Sequence, residues 1–124
     1  MNGNRFVVQE HTTPEGIHWD LMLERDGVLL TFRLEDEPAQ SLGHTVRAVK
    51  IFDHPLRFLT YEGPVQKGTG NVRIADRGAY ECRSQSEDLL ALALDGIVLR
   101  GDFTLTRIEG DEWRFSAQNA HERG

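Results

Sequence analysis

The sequence predicts an all-β fold, a small antiparallel β-barrel with one short helical turn. Three observations predict it. About nine short apolar-alternating segments follow one another at fairly even spacing, with turn chemistry between them. Most have a hairpin-like neighbour, and closing such a set removes exposed edges. The chain has 124 residues, which is one domain's worth, so residues 1–124 are read as a single barrel.

The elements run as follows. Phe6-Val7-Val8 is an apolar run that ends in polar Gln9-Glu10-His11, and Thr12-Thr13-Pro14-Glu15-Gly16 is a turn. Residues 17–24 alternate with a period of two: Ile17, Trp19, Leu21 and Leu23 on one face, His18, Asp20, Met22 and Glu24 on the other. Arg25-Asp26-Gly27 gives a hairpin turn into a return strand over residues 28–34. Residues 35–43 are loop with one helical turn at 38–42. Residues 44–52 resume as a strand, which Asp53-His54-Pro55 breaks. A short strand is expected over 56–61, a turn at Glu62-Gly63-Pro64 and a glycine-containing loop over 66–71. Residues 72–76 and 79–83 read as a hairpin across Arg77-Gly78. Residues 89–94, 97–108 and 113–117 read as two more, with Gly101 marking a bulge or bend. Residues 118–124 read as a frayed tail.

Composition narrows the class. Hydrophobic residues make up 39% and charged residues 27%, the balance of a soluble globular protein. No apolar run approaches the ~20 residues of a membrane span, and residues 1–9 lack the basic region and apolar core of a signal peptide. Cys82 is the one cysteine, so no internal disulfide forms, and the setting is read as reducing and cytoplasmic. A net charge of −6 argues against gripping nucleic acid by overall charge, yet leaves room for local cations at a phosphate.

The chemistry concentrates on one strand face. His18 and Asp20, two apart, emerge together, and an antiparallel neighbour brings His11 beside them. Two imidazoles and a carboxylate suit Mn²⁺, Zn²⁺ or Fe²⁺ with positions left for water or substrate. The plainer reading is a solvated polar face. His54, at a strand end, suits a phosphate contact or a general acid; its plainer reading is a His-Pro turn. Residues 61–70 lack the spacing of a nucleotide-binding P-loop and read as a structural loop, with Lys67 a candidate cation. Trp19 and Trp113 read as barrel core. Cys82 reads as packing or exposed, and Glu10 and Glu24 as flanking carboxylates.

These segments also resemble a known family. Phe6-Val7-Val8-Gln9-Glu10-His11, Ile17-His18-Trp19-Asp20-Leu21-Met22-Leu23-Glu24 and Asp26-Gly27-Val28-Leu29 are similar, in order and spacing, to the 3′-phosphoesterase domain of bacterial ATP-dependent DNA ligase D. The likeness continues at Asp53-His54-Pro55-Leu56, Tyr61-Glu62-Gly63, residues 76–81, residues 94–96 and residues 99–105. It implies a β-barrel and a Mn²⁺-dependent enzyme that removes a 3′-ribonucleoside and then a 3′-phosphate from DNA ends. It implies His11, His18 and Asp20 as metal ligands, His54 at the scissile phosphate and Gln9 beside the site. DNA or RNA/DNA 3′ ends are the implied partners, with a separate ligase or polymerase as a further one; a monomer suffices.

The departures are specific. The arginine two positions after the family's metal-binding aspartate is Met22 here, which offers no bidentate cation. The tyrosine four positions after the phosphate-contacting histidine is Phe58. The Pro-Lys-Gly segment after the third strand reads Glu35-Asp36-Glu37, and the spacer between His11 and His18 is one residue longer. Arg33, Arg47 and Lys67 are candidate replacement cations, Arg47 and Lys67 together with Gln9 and His54 forming the expected substrate contacts. Three readings follow: a metal-dependent phosphoesterase of DNA 3′ ends; a catalytically weakened module that recognises nucleic-acid ends or a protein; and a phosphoesterase with a smaller substrate, which the net acidity favours.

Overall fold

The computed structural model describes residues 4–65 and 70–118. Within them lie β1 (Asn4–Thr13), β2 (Gly16–Arg25), β3 (Val28–Leu34), β4 (Val46–His54), β5 (Gly63–Val65), β6 (Gly70–Ser86), β7 (Leu89–Asp95), β8 (Arg100–Glu109) and β9 (Glu112–Ala117). Every pairing is antiparallel. The hydrogen-bonded order β1-β2-β3-β4-β9-β8-β7-β6 returns from β6 to β1, which closes an eight-stranded barrel; among the described residues β5 pairs only with the start of β6. The predicted fold class is thus observed, including the helical turn, a 3-10 turn at Pro38–Leu42. No helix among the described residues is long and apolar enough to cross a membrane.

Alternation builds the core. Phe6 and Val8 of β1 stand opposite Leu23 and Leu21 of β2, and Leu21 in turn opposite Phe32 of β3. These side chains close on Leu92, Leu94, Phe103, Leu105 and Phe115 from the far wall. Phe103 and Phe115 stack at 5.3 Å, and Phe32 meets Trp113 edge-to-face at 5.2 Å. Trp113 is buried and Trp19 packs half-buried against the same cluster, as the alternation implies. Cys82 is exposed.

The expected turn at Glu62-Gly63-Pro64 enters strand β5 at Gly63, and β4 runs on to His54 before Pro55 ends it; three larger differences from expectation remain. Residues 72–83 are not a hairpin but part of the continuous strand β6. Gly78 is there for close approach, not for turning: a Cβ at that position would lie 2.1 Å from the backbone oxygen of Asp95. Second, β8 begins at Arg100, not at residue 97. The buried Asp76 carboxylate accepts the backbone N–H groups of Ile97 and Leu99, both at 2.8 Å, and holds that stretch as a loop. Third, the expected strand over 56–61 is a 3-10 turn, Leu56–Leu59. Pro55 opens it, Phe58 N–H and Thr60 N–H bond back to Pro55 and Arg57 carbonyls, and the three-residue spacing of Leu56 and Leu59 puts both on the barrel side. In the expected frayed tail, Gln118 donates its N–H to the Asp102 carbonyl at 2.8 Å; residues 119–124 lie outside the described residues.

Candidate functional site

The outer face of β1, β2 and β3 is largely buried. Alternation sends Val7, Gln9 and His11, then His18, Asp20 and Met22, then Leu29, Thr31 and Arg33 away from the barrel core. The register sets Gln9 opposite Asp20, His11 opposite His18 and Asp20 opposite Arg33. Yet Gln9 is 1% exposed, His11 6%, Asp20 3% and Met22 1%. A roof covers Gln9 and Met22: the chain leaves β4, turns through Leu56–Leu59 and comes back as β5. Leu59 packs with Val7, Met22 and Leu29 into a second small core, with Leu56, Phe58 and Ile74 at its margin. The Gln9 amide ties the roof down, Nε2 donating to the Phe58 and Tyr61 carbonyls at 3.0 Å each.

Two bulges aim side chains into this layer. Thr31 pairs with Ile51 but Leu29 pairs with His54, so β4 carries one extra residue at Phe52-Asp53. By simple alternation His54 shares the parity of core residues Val46 and Ala48; the extra residue turns it to the outer face. There its ring bonds Thr31 Oγ1 through Nδ1 at 2.9 Å. The Thr31 hydroxyl gives its proton to the Leu29 carbonyl, so Nδ1–H of His54 is the donor and Nε2 is the nitrogen free to titrate. A second shift, between Val8 and Gln9 along β6, lets Val72 and Ile74 face the site while Asp76 faces the barrel end.

His11, His18 and Asp20 converge. His11 Nδ1 and His18 Nε2 are 2.9 Å apart, the rings meet edge-to-face at 4.6 Å, and His18 Nε2 is 3.8 Å from Asp20 Oδ2. Each offers one ligand atom, all within 4.8 Å of one another. The donor set fits a divalent metal. Two nitrogens bound at ~2.1 Å to one ion, roughly at a right angle, lie about 3 Å apart. His11 Nε2 is buried with no hydrogen-bond partner among the described residues. Gly70 passes against it so closely that a Cβ would sit 2.7 Å from that nitrogen. Burial pushes the pKa of His11, His18 and His54 down; the Asp20 charge opposes this and Arg33 adds to it. Neutral imidazoles are the form that ligates metal. Arg33 Nε donates to Asp20 Oδ1 at 3.1 Å, which holds the carboxylate and leaves both Nη groups without a hydrogen bond among the described residues.

A cavity of about 600 Å³ opens beside the cluster, lined among others by Gln9, His11, Asp20, Met22, Arg33 and His54. The structure therefore brings together Gln9, His11, His18, Asp20 and His54. It does not bring Arg47 to them: that side chain pairs with Glu35 at 2.9 Å and Glu112 at 3.2 Å, outside the cavity lining. Lys67 lies outside the described residues. Glu10 and Glu24 do not join the cluster; they pair with Arg73 and Arg5. Of the three candidate replacement cations, Arg33 alone is placed in the cavity by the described residues. Sequence reasoning gave no role to Arg57, whose guanidinium lies 4.9 Å over the Phe58 ring, or to Phe52, stacked on His54 at 4.9 Å. Both sit where the chain departs from regular strand, so no periodicity marks them. Phe58 keeps an edge-to-face contact with His54 at 5.6 Å without a tyrosine's hydroxyl.

Fold and site together define an antiparallel barrel that carries a two-histidine, one-carboxylate cluster on its outer wall, beside a cavity with arginine and aromatic lining. The chain belongs to the DNA ligase D 3′-phosphoesterase domain family, whose model matches residues 9–107. It is 34% identical to the multifunctional non-homologous end joining protein LigD of Mycobacterium bovis, over 90% of this chain and 16% of that protein. It is 31% identical to the Mycolicibacterium smegmatis protein of the same name, over the same shares. It is 32% identical to that of Pseudomonas aeruginosa, over 83% of this chain and 13% of that protein. The chain thus spans less than a fifth of the length of these curated relatives.

Proposed function

We propose that this domain is a divalent-metal-dependent phosphoesterase that heals nucleic-acid 3′ ends, removing a 3′-phosphate or a 3′-ribonucleoside. The observation that carries the reading is the convergence of His11, His18 and Asp20 at ligand spacing, with His11 and Asp20 on the wall of a cavity that also holds His54 and Arg33. His11, His18 and Asp20 would hold the metal, Mn²⁺ being the expected ion. Bound there, a divalent cation supplies Lewis-acid polarisation of a phosphoryl oxygen.

The chain's own groups do the rest. Arg33 holds the Asp20 carboxylate through Nε and offers its Nη groups to phosphate oxygens. It thereby supplies, from β3, a cation that Met22 on β2 does not. His54, fixed by Thr31 on Nδ1, takes up or releases a proton at Nε2, next to the leaving oxygen. Asp20 is buried, so its charge acts at a lower dielectric than in bulk water. DNA or RNA/DNA ends are the proposed partners of a monomer, with a separate ligase or polymerase as a further one, in keeping with the non-homologous end joining named for the relatives.

The test is release of a terminal 3′-phosphate or 3′-ribonucleoside from a primer–template with Mn²⁺, comparing the native chain with Asp20→Asn. The variant keeps the shape but loses a ligand charge. Turnover is expected to fall at least ~100-fold, since losing even an outer partner of a metal ligand costs about 10- to 100-fold. Equal turnover in the two proteins would refute the assignment. A second reading has its own observation: Met22 is fully buried in the second core and leaves that position without a cation. On that reading the domain binds ends without turning them over. Metal-dependent end binding with no release above Asp20→Asn would favour it.

A further inference from the structure

We infer that Phe52 is the platform of a nucleobase subsite, on which the base of the terminal nucleotide stacks while its phosphate reaches His54. The inference rests on the phosphoester reading above and names how that site would hold the nucleoside. Phe52 is 72% exposed. Single exposed apolar side chains are ordinary, and Ile97 and Ile108 are such cases here. Phe52 differs in three respects. It lies on the lining of the site cavity. It sits in the β4 bulge, the irregularity that also turns His54 outward. Its ring lies nearly parallel to the His54 imidazole, with centroids 4.9 Å apart and planes 24° apart, so one face is supported and the ring remains largely open to solvent.

The surroundings select the occupant. Phe58 stands edge-on to His54 and Tyr61 edge-on to Phe58, both at 5.6 Å, so an aromatic wall runs from the rim into the cavity. Arg33 and Arg57 line the same space. A ligand that satisfies this wall needs a flat π face and an anion close together. The Phe52 and His54 rings are 4.9 Å apart, so a base on the open face of Phe52 is separated from the imidazole by little more than one ring, a gap that one sugar bridges between base and phosphate. A peptide with an aromatic side chain would use the wall but leave the cations unanswered. Stacking on a flat ring accepts any base, so the subsite would discriminate a base-bearing end from an abasic one, not one base from another.

The experiment uses primer–templates whose 3′-phosphorylated terminal nucleotide carries 2-aminopurine or is an abasic analogue, with the native chain, Phe52→Ala and Phe52→Trp. The native chain should quench 2-aminopurine on binding and show a KM for the abasic end roughly 5- to 150-fold higher. Phe52→Ala should lose both the quench and the preference; Phe52→Trp should keep them. Quenching and base preference that survive in Phe52→Ala would overturn the inference. So would equal loss of turnover on both ends in Phe52→Ala, which is what a mere support for His54 gives, or an absence of quenching by the native chain. The quench needs no turnover, so it decides the stacking even if the phosphoester reading itself fails.

Discussion

Replacing Gln9 with leucine should open the roof while leaving the barrel closed. Gln9 is 1% exposed and its amide makes two hydrogen bonds of 3.0 Å, to the Phe58 and Tyr61 carbonyls. Leucine keeps most of the volume and donates nothing. Each lost bond is worth about 1 kcal/mol net, and each carbonyl left dry under the closed roof adds up to ~1 kcal/mol more, which opening relieves by hydration. Closure therefore weakens by about 2–4 kcal/mol. At ~1.4 kcal/mol per decade, the open population rises on the order of 30- to 1,000-fold. Leu59 is the main apolar tie that remains, and its burial is worth roughly 2 kcal/mol. Trypsin reports the opening: Arg57 sits exposed in the roof's 3-10 turn, and cleavage after it tracks the open population when reclosing is fast. Mass spectrometry identifies cleavage at Arg57-Phe58, and the urea midpoint follows the barrel. A cleavage rate at Arg57 within about threefold of the native chain's would refute the account of Gln9 as the tie.

Two further outcomes are expected. Burial lowers the pKa of His11, His18 and His54 below the ordinary 6.5, so in that range the unfolded chain binds more protons than the folded one. Stability of the metal-free protein should be fully present above pH 6.5 and fall as pH drops through the lowered histidine values; urea midpoints at pH 7.5 and 5.5 check the sign, and a higher midpoint at pH 5.5 would contradict it. Gly78→Ala places a Cβ 2.1 Å from the Asp95 carbonyl oxygen, where only backbone can yield, so a loss of about 3 kcal/mol or more is expected in the denaturation midpoint, and a loss within measurement error would argue against so close an approach.

The barrel was legible because its signal is local. Period-two alternation from Ile17 to Glu24 and the Asp26-Gly27 turn name a hairpin without any knowledge of its partners. The grouping of two histidines and a carboxylate was legible for the same reason: His18 and Asp20 share parity on one strand, and a hairpin returns His11 opposite His18. The roof was not. Leu56, Phe58 and Leu59 read equally as a short strand, and only the apolar surface of Val7, Met22 and Leu29 beneath them decides for a 3-10 turn. Gly78 looked like a turn because glycine serves both tight turns and close backbone contact, and sequence does not separate the two. Arg33 and Arg47 were equivalent cations in the sequence. Partners set their fates: Asp20 holds Arg33 in the cavity, while Glu35 and Glu112 hold Arg47 outside it.

The extra residue in β4 has a bearing on how this domain can change over generations. Strand ends next to loops are usually where a chain gains or loses residues at little cost. Here the orientation of His54 depends on an odd count between Ile51 and the imidazole, three steps against two on β3. Losing one residue at Phe52 or Asp53 would keep His11, His18, Asp20 and His54 in the chain, yet would rotate His54 towards the barrel interior. As far as the orientation of His54 is concerned, it is the number of residues here that counts, whatever role the Phe52 ring itself has. For that orientation the stretch is constrained in length rather than in composition.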